Sequence, residues 1–180
     1  MDTQELNDEL GVPGAQALLR SSPLCRLAYL GQDGLPRVIP IGFHWNGKRI
    51  VVCTATSSPK VRALESRPDV ALTIDEGSES GNAKSLQIRG QATLETVDGI
   101  PDEYLEGAAK SLNAEQRAEF EKQVGSVYDQ MVRISIEPGW ARFYDFGAGR
   151  LPGFLTKLVS GRLFRRTSEP GVSERRQLPA

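Results

Sequence analysis

The first half of the chain alternates between short apolar runs and turn residues, which is the pattern of antiparallel strands. One apolar run covers Leu24 to Leu30, and after a Gly-Gln-Asp-Gly turn a second extended run covers Leu35 to Trp45. Asn46-Gly47 is the strongest short hairpin signal, and it leads into a third run from Arg49 to Thr54. We therefore predict a three-stranded antiparallel meander in this part of the chain.

Further extended segments follow beyond residue 69. Val70 to Ile74 is apolar enough for a buried strand, and Leu86 to Glu95 alternates apolar and polar positions as a half-buried strand does. Val132 to Glu137 and Trp140 to Phe146 alternate in the same way, and Pro138-Gly139 between them is typical of a turn. Six or seven short strands with few helices predict a mainly β protein, a small β-barrel with flanking helices.

Helical spacing occurs in three places between residues 13 and 124. Pro13 to Ser22 predicts a short helix with proline in its first turn, and Val61 to Arg67 predicts a second helix that ends at Pro68. From Asp98 to about Val124 apolar residues recur at intervals of three and four, which predicts a further helical segment. We assign residues 1–146 to one barrel domain.

The remaining residues, 147–180, differ from the barrel in charge. Residues 1–146 carry 15 basic and 21 acidic side chains, whereas residues 147–180 carry 7 basic and 2 acidic ones. We predict a basic C-terminal helix with an apolar face from Leu151 to Val159, followed by a disordered tail from Thr167. We expect the helix to pack on the barrel or on a neighbouring subunit, and a membrane-surface or acidic-partner role is the alternative. Its arginine cluster consists of Arg162, Arg165 and Arg166.

Composition excludes several classes of function. The chain has 180 residues, of which 39% are hydrophobic and 25% are charged, as in one ordinary globular domain. The acidic main domain disfavours nucleic-acid binding, and no apolar run is long enough for a membrane helix. Cys25 and Cys53 lie far apart in apolar runs, which predicts buried thiols in a reducing compartment such as the cytoplasm. The single histidine, His44, excludes a multi-histidine metal site.

The segment from Thr54 to Leu64 lies between a strand end and a helix start. Ser58 fits an N-cap and Pro59 fits the first helical position. We therefore expect the amides of Lys60 and Val61 to point outward, unpaired, at the positive end of the helix dipole. Further donors on this segment are the hydroxyls of Thr56, Ser57 and Ser58 and the ammonium of Lys60. The arrangement predicts a cradle for a monophosphate, and simple helix capping is the alternative explanation.

The run from Arg37 to Trp45 is apolar but contains Pro40, which cannot donate a ladder hydrogen bond, and Gly42, which has no side chain. These residues favour a sheet edge, a bulge or a backbone that faces a ligand, with an ordinary bulged strand as the alternative. His44 has no carboxylate or nucleophile partner evident in the sequence, so little supports a catalytic role for it. No GxSxG motif or paired-acid constellation supports a hydrolase.

Three segments taken together resemble the flavin and deazaflavin split-barrel family, which includes pyridoxamine 5'-phosphate oxidase. They are LCRLAYLGQDGLPRVIPIGFHWNGKRIVV, SSPKVRALESRPDVALTID and SLQIRGQATLETV, and the resemblance covers roughly residues 15–146. It implies a six-stranded antiparallel split barrel that forms homodimers, with FMN or the deazaflavin coenzyme F-420 in a groove between the subunits. It also implies an oxidoreductase that transfers a hydride between this cofactor and a small organic substrate.

The resemblance further implies which residues bind the cofactor. Lys60, with Ser57 and Ser58, would hold its phosphate, and Thr54 would lie beside it. The backbone that borders the ring would be that of Val38, Ile39, Pro40 and Ile41. Gln87 and, from the partner subunit, Trp140 are weaker candidates for the same groove. No catalytic side chain is implied, because the cofactor ring itself accepts or delivers the hydride.

Two departures from the family pattern bear on function. Many relatives have arginine directly before the phosphate lysine, where this chain has Pro59, so fewer donors would hold the phosphate. The arginine and histidine pattern near the C-terminus of true pyridoxamine 5'-phosphate oxidases is also absent, so we do not expect that activity.

The sequence leaves two questions open. Either FMN or F-420 is compatible with it, and the anionic tail of F-420 would be lined by Arg37, Arg62 and Arg89. The alternative to an oxidoreductase is a non-catalytic split-barrel protein that binds a cofactor or haem, for which His44 is the available iron ligand. An interaction role confined to the basic tail is a third hypothesis.

Overall fold

The structure, a computed structural model, describes residues 1–77 and 81–158. The strands of these residues are β1 (Leu24–Leu30), β2 (Pro36–Gly42), β3 (His44–Trp45), β4 (Ile50–Ala55), β5 (Asp69–Glu76), β6 (Lys84–Asp98) and β7 (Gln130–Asp145). The helices are α1 (Thr3–Gly11), α2 (Pro13–Ser21), α3 (Pro59–Ser66), α4 (Asp102–Ala109) and α5 (Ala114–Gly125). The strands form one antiparallel sheet in the order β2-β1-β5-β6-β7-β4-β3, which does not close on itself. The prediction of a mainly β, antiparallel protein with flanking helices is confirmed.

The main core lies on one face of the curved sheet, as the alternating sequence pattern requires, and a smaller buried cluster of Val51, Cys53 and Met131 lies on the other face of β4 and β7. In β1, Cys25 and Leu27 are fully buried while Leu24 and Arg26 between them are exposed. A fully buried leucine or isoleucine contributes about 1.5–3 kcal/mol relative to an exposed one. The largest buried aliphatic side chains are Leu18, Leu19, Leu27, Ile50, Leu64, Leu72, Ile74, Leu86, Ile88 and Ile134.

The extended run predicted from Leu35 to Trp45 is divided at Phe43 into β2 and β3. Phe43 is 1% exposed and packs in the core. Helix α4 also lies against this point, because a Cβ atom on Gly107 would be 3.1 Å from the Phe43 carbonyl oxygen. The division gives seven strands where the resemblance implied six. The sequence did not show it because the run is apolar throughout.

The turn predicted at Pro138-Gly139 is wrong, because β7 continues through this point. Arg89 of β6 pairs with Trp140, whereas the next residue, Gly90, pairs with Pro138. Gly139 is therefore the extra residue of a β-bulge. The proline fits because the pairing of β7 with β4 ends two residues earlier, so no ladder bond is needed on that side.

Gly90 allows the two long strands to approach closely beside this bulge. A Cβ atom at Gly90 would lie 2.3 Å from the carbonyl oxygen of Glu137, which no side chain tolerates. The position therefore fixes both the bulge and the register of the strand pair beyond it.

Helix α1 has no counterpart among the sequence predictions. It begins with a capping box, in which Glu5 N donates to Asp2 Oδ1 (2.8 Å) and Asp2 N donates to Glu5 Oε2 (3.0 Å). The helix packs along β7 beyond the end of the β4 pairing, where Phe143 N donates to Glu9 Oε2 (3.0 Å). Glu9 is 8% exposed, and its carboxylate is neutralised by two ion pairs. They join it to Arg142 (2.9 Å) and Arg150 (2.7 Å).

The other predicted helices are confirmed with small changes. Helices α2 and α3 match the predictions at Pro13 and Val61, and the long segment after Asp98 divides into α4 and α5. Asp98 itself is the last residue of β6. Residues 153–158 are helical, and the rest of the predicted basic helix, with its arginine cluster and tail, lies outside the described residues.

Candidate functional site

The end of β4 and the start of α3 bring three side chains together, and we call Thr54, Ser58 and Lys60 the Lys60 cluster. Ser58 is the N-cap of α3 and Pro59 its first residue, as the sequence predicted. Lys60 Nζ donates to Thr54 Oγ1 (2.9 Å) and to Ser58 Oγ (2.7 Å). The two hydroxyls hold the ammonium in one position at the end of the barrel.

The Lys60 cluster carries a positive charge without a counter-charge. Within residues 1–77 and 81–158, Lys60 forms no ion pair, and its only hydrogen-bond acceptors are the two neutral hydroxyls. The side chain is half-buried, and this burial lowers the pKa of the Lys60 ammonium. An anion placed here would compensate the cost of desolvation.

One prediction for this segment is wrong. The Val61 amide is not free, because it donates to the carbonyl oxygen of Ser58 (3.0 Å). The first turn of α3 closes tightly on itself, so the helix offers fewer outward amides than the sequence suggested. An anion bound here would be held mainly by the Lys60 ammonium.

Ser57 is placed next to the Lys60 cluster but on a different surface. It is exposed and, with Thr56, lines a groove of about 690 Å³ between the end of β4 and the start of β7. The opposite wall includes the carboxylates of Asp98 and Asp129. These acidic groups disfavour an anion in the groove itself, so the favourable side for a phosphate is the one facing Lys60.

Strand register brings residues that are distant in sequence onto one outer face of the sheet. One row across the strands consists of Val38, Ala28, Ala71, Arg89 and Trp140. The adjacent row consists of Pro40, Arg26, Thr73, Gln87 and Arg142. Directly paired residues point to the same side of a sheet, so these rows define a single surface, which we call the outer face.

The outer face therefore contains four of the predicted cofactor residues, Val38, Pro40, Gln87 and Trp140. Val38 is 65% exposed and Pro40 and Gln87 are exposed as well. Ile39 and Ile41 point the other way, are half-buried and pack against the core. The backbone of β2 is at an edge of the sheet, where one side of the strand has no neighbouring strand among the described residues.

A groove runs over the outer face beside Trp140, with a volume of about 620 Å³. Arg89 stacks on the indole, with its guanidinium carbon 4.4 Å from the ring centroid. We call this feature the Trp140 groove. Its other lining residues include Ala28, Tyr29, Leu30, Pro36, Arg37 and Ala71. The sequence suggested Trp140 and Arg89 separately, but their contact depends on the bulge at Gly139 and was not predictable from spacing.

The remaining candidates are placed as follows. Arg37 pairs with Asp33 (2.6 Å), and Arg62 is exposed on α3. His44 is half-buried on β3. Both thiols predicted to be buried are buried, and burial raises the pKa of Cys25 and of Cys53 to about 12. Such thiols are protonated and poor nucleophiles at neutral pH.

Sequence reasoning missed Lys110, a half-buried lysine at the end of α4. Its ammonium lies 3.5 Å from the centroid of the Phe43 ring and donates to the carbonyl oxygens of Leu19 (3.0 Å) and Ser22 (3.2 Å). Burial lowers the pKa of Lys110 to about 8. Its partners are backbone carbonyls and a core ring, so it joins α4 to α2.

Two kinds of feature are absent from the described residues. No helix in the ranges 1–77 and 81–158 has both the length and the apolar character to span a membrane. In the same ranges, no group of three or more histidine, cysteine, aspartate or glutamate side chains is arranged to hold a metal ion.

Comparison with known proteins assigns the barrel to a family. The family model for pyridoxamine 5'-phosphate oxidase matches residues 13–143. A comparison with curated proteins found no match.

Several solved structures share the fold at low sequence identity. A conserved hypothetical protein from Mycobacterium tuberculosis is 19% identical with a TM-score of 0.55, covering 84% of this chain and 89% of its own. An F420 reductase is 23% identical with a TM-score of 0.53, and the match covers 70% of this chain and 94% of the reductase chain. HutZ, the haem storage protein of Vibrio cholerae, is 19% identical with a TM-score of 0.54, covering 76% and 96%. At these identities the likeness shows the fold.

Proposed function

The chain belongs to the pyridoxamine 5'-phosphate oxidase family, and from that premise we propose that it is an oxidoreductase that binds FMN or coenzyme F-420. The cofactor would transfer a hydride to or from a small organic substrate in a groove between two identical subunits. The observation that carries the proposal is the Lys60 ammonium, half-buried and held by two hydroxyls without a carboxylate partner in the described part of the chain.

The Lys60 cluster fits a phosphate group. Removing an ammonium from water is costly unless an opposite charge accompanies it, and Thr54 and Ser58 supply hydrogen bonds but no charge. A phosphate monoester or diester would supply the charge and accept hydrogen bonds from Lys60 and from both hydroxyls. Both FMN and F-420 carry such a group.

The outer face fits the ring of either cofactor. Val38 and Pro40 give β2 a flat apolar surface, and its free edge offers backbone groups for hydrogen bonds to ring heteroatoms. Gln87 on the same face adds an amide that both donates and accepts. When bound, the ring supplies the hydride chemistry, so the residues of the chain bind and orient it and exclude water.

The exposed apolar residues of β1 and β2 support the homodimer. Large apolar side chains are normally few and scattered on a monomer surface, whereas contiguous patches mark interfaces. Near the turn between β1 and β2, Leu30 is 43% exposed, Leu35 59% and Val38 65%, and Leu24, at the other end of β1, is 50% exposed. A second copy of the chain packed here would bury this patch and bring its own Trp140 to the cofactor groove.

The test is a titration of the purified protein with FMN and with F-420, followed by absorbance and fluorescence. We expect Lys60→Ala to weaken cofactor binding about tenfold or more, because the change removes a hydrogen bond from a charged group. Lys48→Ala is the matched control, since Lys48 is exposed in the hairpin between β3 and β4. Riboflavin, which lacks the phosphate, should bind wild type and Lys60→Ala alike.

The proposal fails if neither cofactor binds or if Lys60→Ala binds both as tightly as wild type. Turnover is tested separately, by the return of the absorbance of the oxidised cofactor when candidate electron acceptors are added to the reduced form. Pyridoxamine 5'-phosphate should not be oxidised, because the chain lacks the arginine and histidine pattern of enzymes that hold that substrate.

Non-catalytic haem binding is the second candidate. The fold is shared with a haem storage protein, and His44 is half-buried with no hydrogen-bond or ion-pair partner among residues 1–77 and 81–158. A haem absorbance band that is lost in His44→Ala would favour this function. A bound flavin or deazaflavin that reacts with substrate would favour the oxidoreductase.

A further inference from the structure

The Trp140 groove contains a cation that the rest of the described chain does not neutralise. The guanidinium carbon of Arg89 lies over the indole ring of Trp140, 4.4 Å from its centroid, and the residue is exposed. In the parts of the chain that the structure describes, Arg89 has no carboxylate within ion-pair distance. Arg37 in the same groove differs, because it is paired with Asp33 (2.6 Å).

The rest of the groove is suited to a flat apolar body. Ala28 and Ala71 lie between Val38 and Arg89 in the same row of the outer face, and their small side chains leave a shallow floor. Leu30 and Pro36 form part of the wall. A volume of about 620 Å³ lies within the range of small-molecule sites.

Register also places this groove next to the proposed ring position. Val38, which would border the ring, and Trp140 are the two ends of one row of five residues. A molecule lying over Ala28 and Ala71 would therefore be a neighbour of the cofactor ring on the same face.

We infer that the Trp140 groove binds the substrate of the proposed reaction, and that this substrate is a planar organic anion whose carboxylate or sulfonate is held by Arg89. That the ligand is a substrate rests on the proposed function. That the ligand is a planar organic anion rests on the residues of the groove alone. Asp69 also lines the groove, in the row next to that of Arg89, and its carboxylate accepts a hydrogen bond from Gln91 (3.0 Å).

The experiment compares two fluorescent probes, one with and one without a sulfonate group. 8-Anilinonaphthalene-1-sulfonate is an aromatic anion, and N-phenyl-1-naphthylamine has the same rings without the sulfonate. Both are titrated into the full chain as wild type, Arg89→Gln and Arg20→Gln, the last being the same change at an exposed arginine of α2. We expect Arg89→Gln to lower the affinity for the sulfonate probe about fivefold, which is the size of effect expected from losing a partly exposed ion pair. The neutral probe should change less than twofold, and Arg20→Gln should affect neither.

Two further measurements locate the probe and separate the two proposals. Energy transfer from indole to the sulfonate probe should fall in Trp140→Phe, because this change removes the indole that lines the groove. Lys60→Ala should weaken cofactor binding and leave probe binding unchanged. The proposal of a phosphate site can therefore fail while the proposal of an anion groove stands, and the reverse.

Three results would overturn the inference. The first is equal binding of the sulfonate probe to wild type and Arg89→Gln. The second is an equal loss of both probes in Arg89→Gln, which would assign Arg89 to packing. The third is strict competition between the sulfonate probe and FMN or F-420, which would assign the groove to the cofactor.

Discussion

The Lys60 cluster and the outer face are assembled over very different lengths of chain. The cluster comes from Thr54 to Lys60, one strand end and the first turn of the next helix. The outer face combines residues from Val38 to Arg142, and their proximity depends on the register of four strand pairs. A local site survives small errors elsewhere in the fold, whereas a site set by register is lost when one pairing slips by a residue.

The most damaging test of this comparison is Gly90→Val. The new side chain would collide with the Glu137 carbonyl, 2.3 Å from the Cβ position, so the bulge at Gly139 cannot form as it is. We expect a loss of about 2–4 kcal/mol in the free energy of unfolding, measured by urea denaturation.

The control for that change is Gly139→Ala in the same bulge. No atom lies within 4 Å of a Cβ at Gly139, so stability should change by less than about 0.5 kcal/mol. In any Gly90→Val protein that still folds, the sulfonate probe should bind more weakly because its groove depends on the strand register. FMN should still bind more tightly than riboflavin because the phosphate contact of Lys60 is local. Equal stability of Gly90→Val and wild type would contradict the argument.

The next largest effect is expected for Val38→Asp. Val38 is exposed in the monomer, so the fold should tolerate the change, but a second copy packed on the outer face would bury the new carboxylate. We expect at least a tenfold weaker dimer in sedimentation or light-scattering measurements. Val127→Asp is the matched control, because Val127 is 68% exposed and lies away from β2. If wild type is a monomer, or if Val38→Asp leaves the stability of the dimer unchanged, the outer face is not a dimer interface.

The smallest effect uses pH to separate the two regions. Burial lowers the pKa of Lys60 in the free protein, whereas a bound phosphate favours the charged form. Phosphate binding is therefore coupled to proton uptake, and affinity for FMN should fall, by about threefold or more, as pH rises from about 7.5 through the lowered pKa of Lys60.

Lys60→Arg should abolish that pH dependence, because a guanidinium keeps its charge up to about pH 12. The sulfonate probe, held by Arg89, should show no dependence in wild type over the same range. Any dependence of riboflavin binding comes from the N–H of its own ring and should be the same in both proteins. An FMN affinity that stays constant, or that rises with pH in wild type but not in Lys60→Arg, would contradict the role given to the ammonium.

The sequence predicted what depends on neighbouring residues. Ser58 and Pro59 at the start of α3, the burial of Cys25 and Cys53 and most strand positions follow from periodicity and capping rules. The free amide expected at Val61 was wrong because the first turn of α3 satisfies it internally. Capping rules describe which residues begin a helix but not how tightly its first turn closes.

What depends on pairing between distant strands was not predictable. The break at Phe43 follows from packing of that ring in the core and of α4 against its backbone, and neither leaves a mark in a continuously apolar run. The contact between Arg89 and Trp140 follows from one bulged residue, which the sequence presents as an ordinary Pro-Gly turn. Resemblance supplied candidate residues on the outer face, but only the register showed which of them share a surface.

Helix α1 has a consequence for how the protein behaves in concentrated solution. Beyond Ile136 the backbone of β7 has no partner from β4, and α1 covers it, with Glu9 accepting the Phe143 amide. If α1 were removed or displaced by a bulky fusion, this stretch would become an open template for strands of other molecules. The helix therefore protects the chain against aggregation, and affinity tags should be placed away from it.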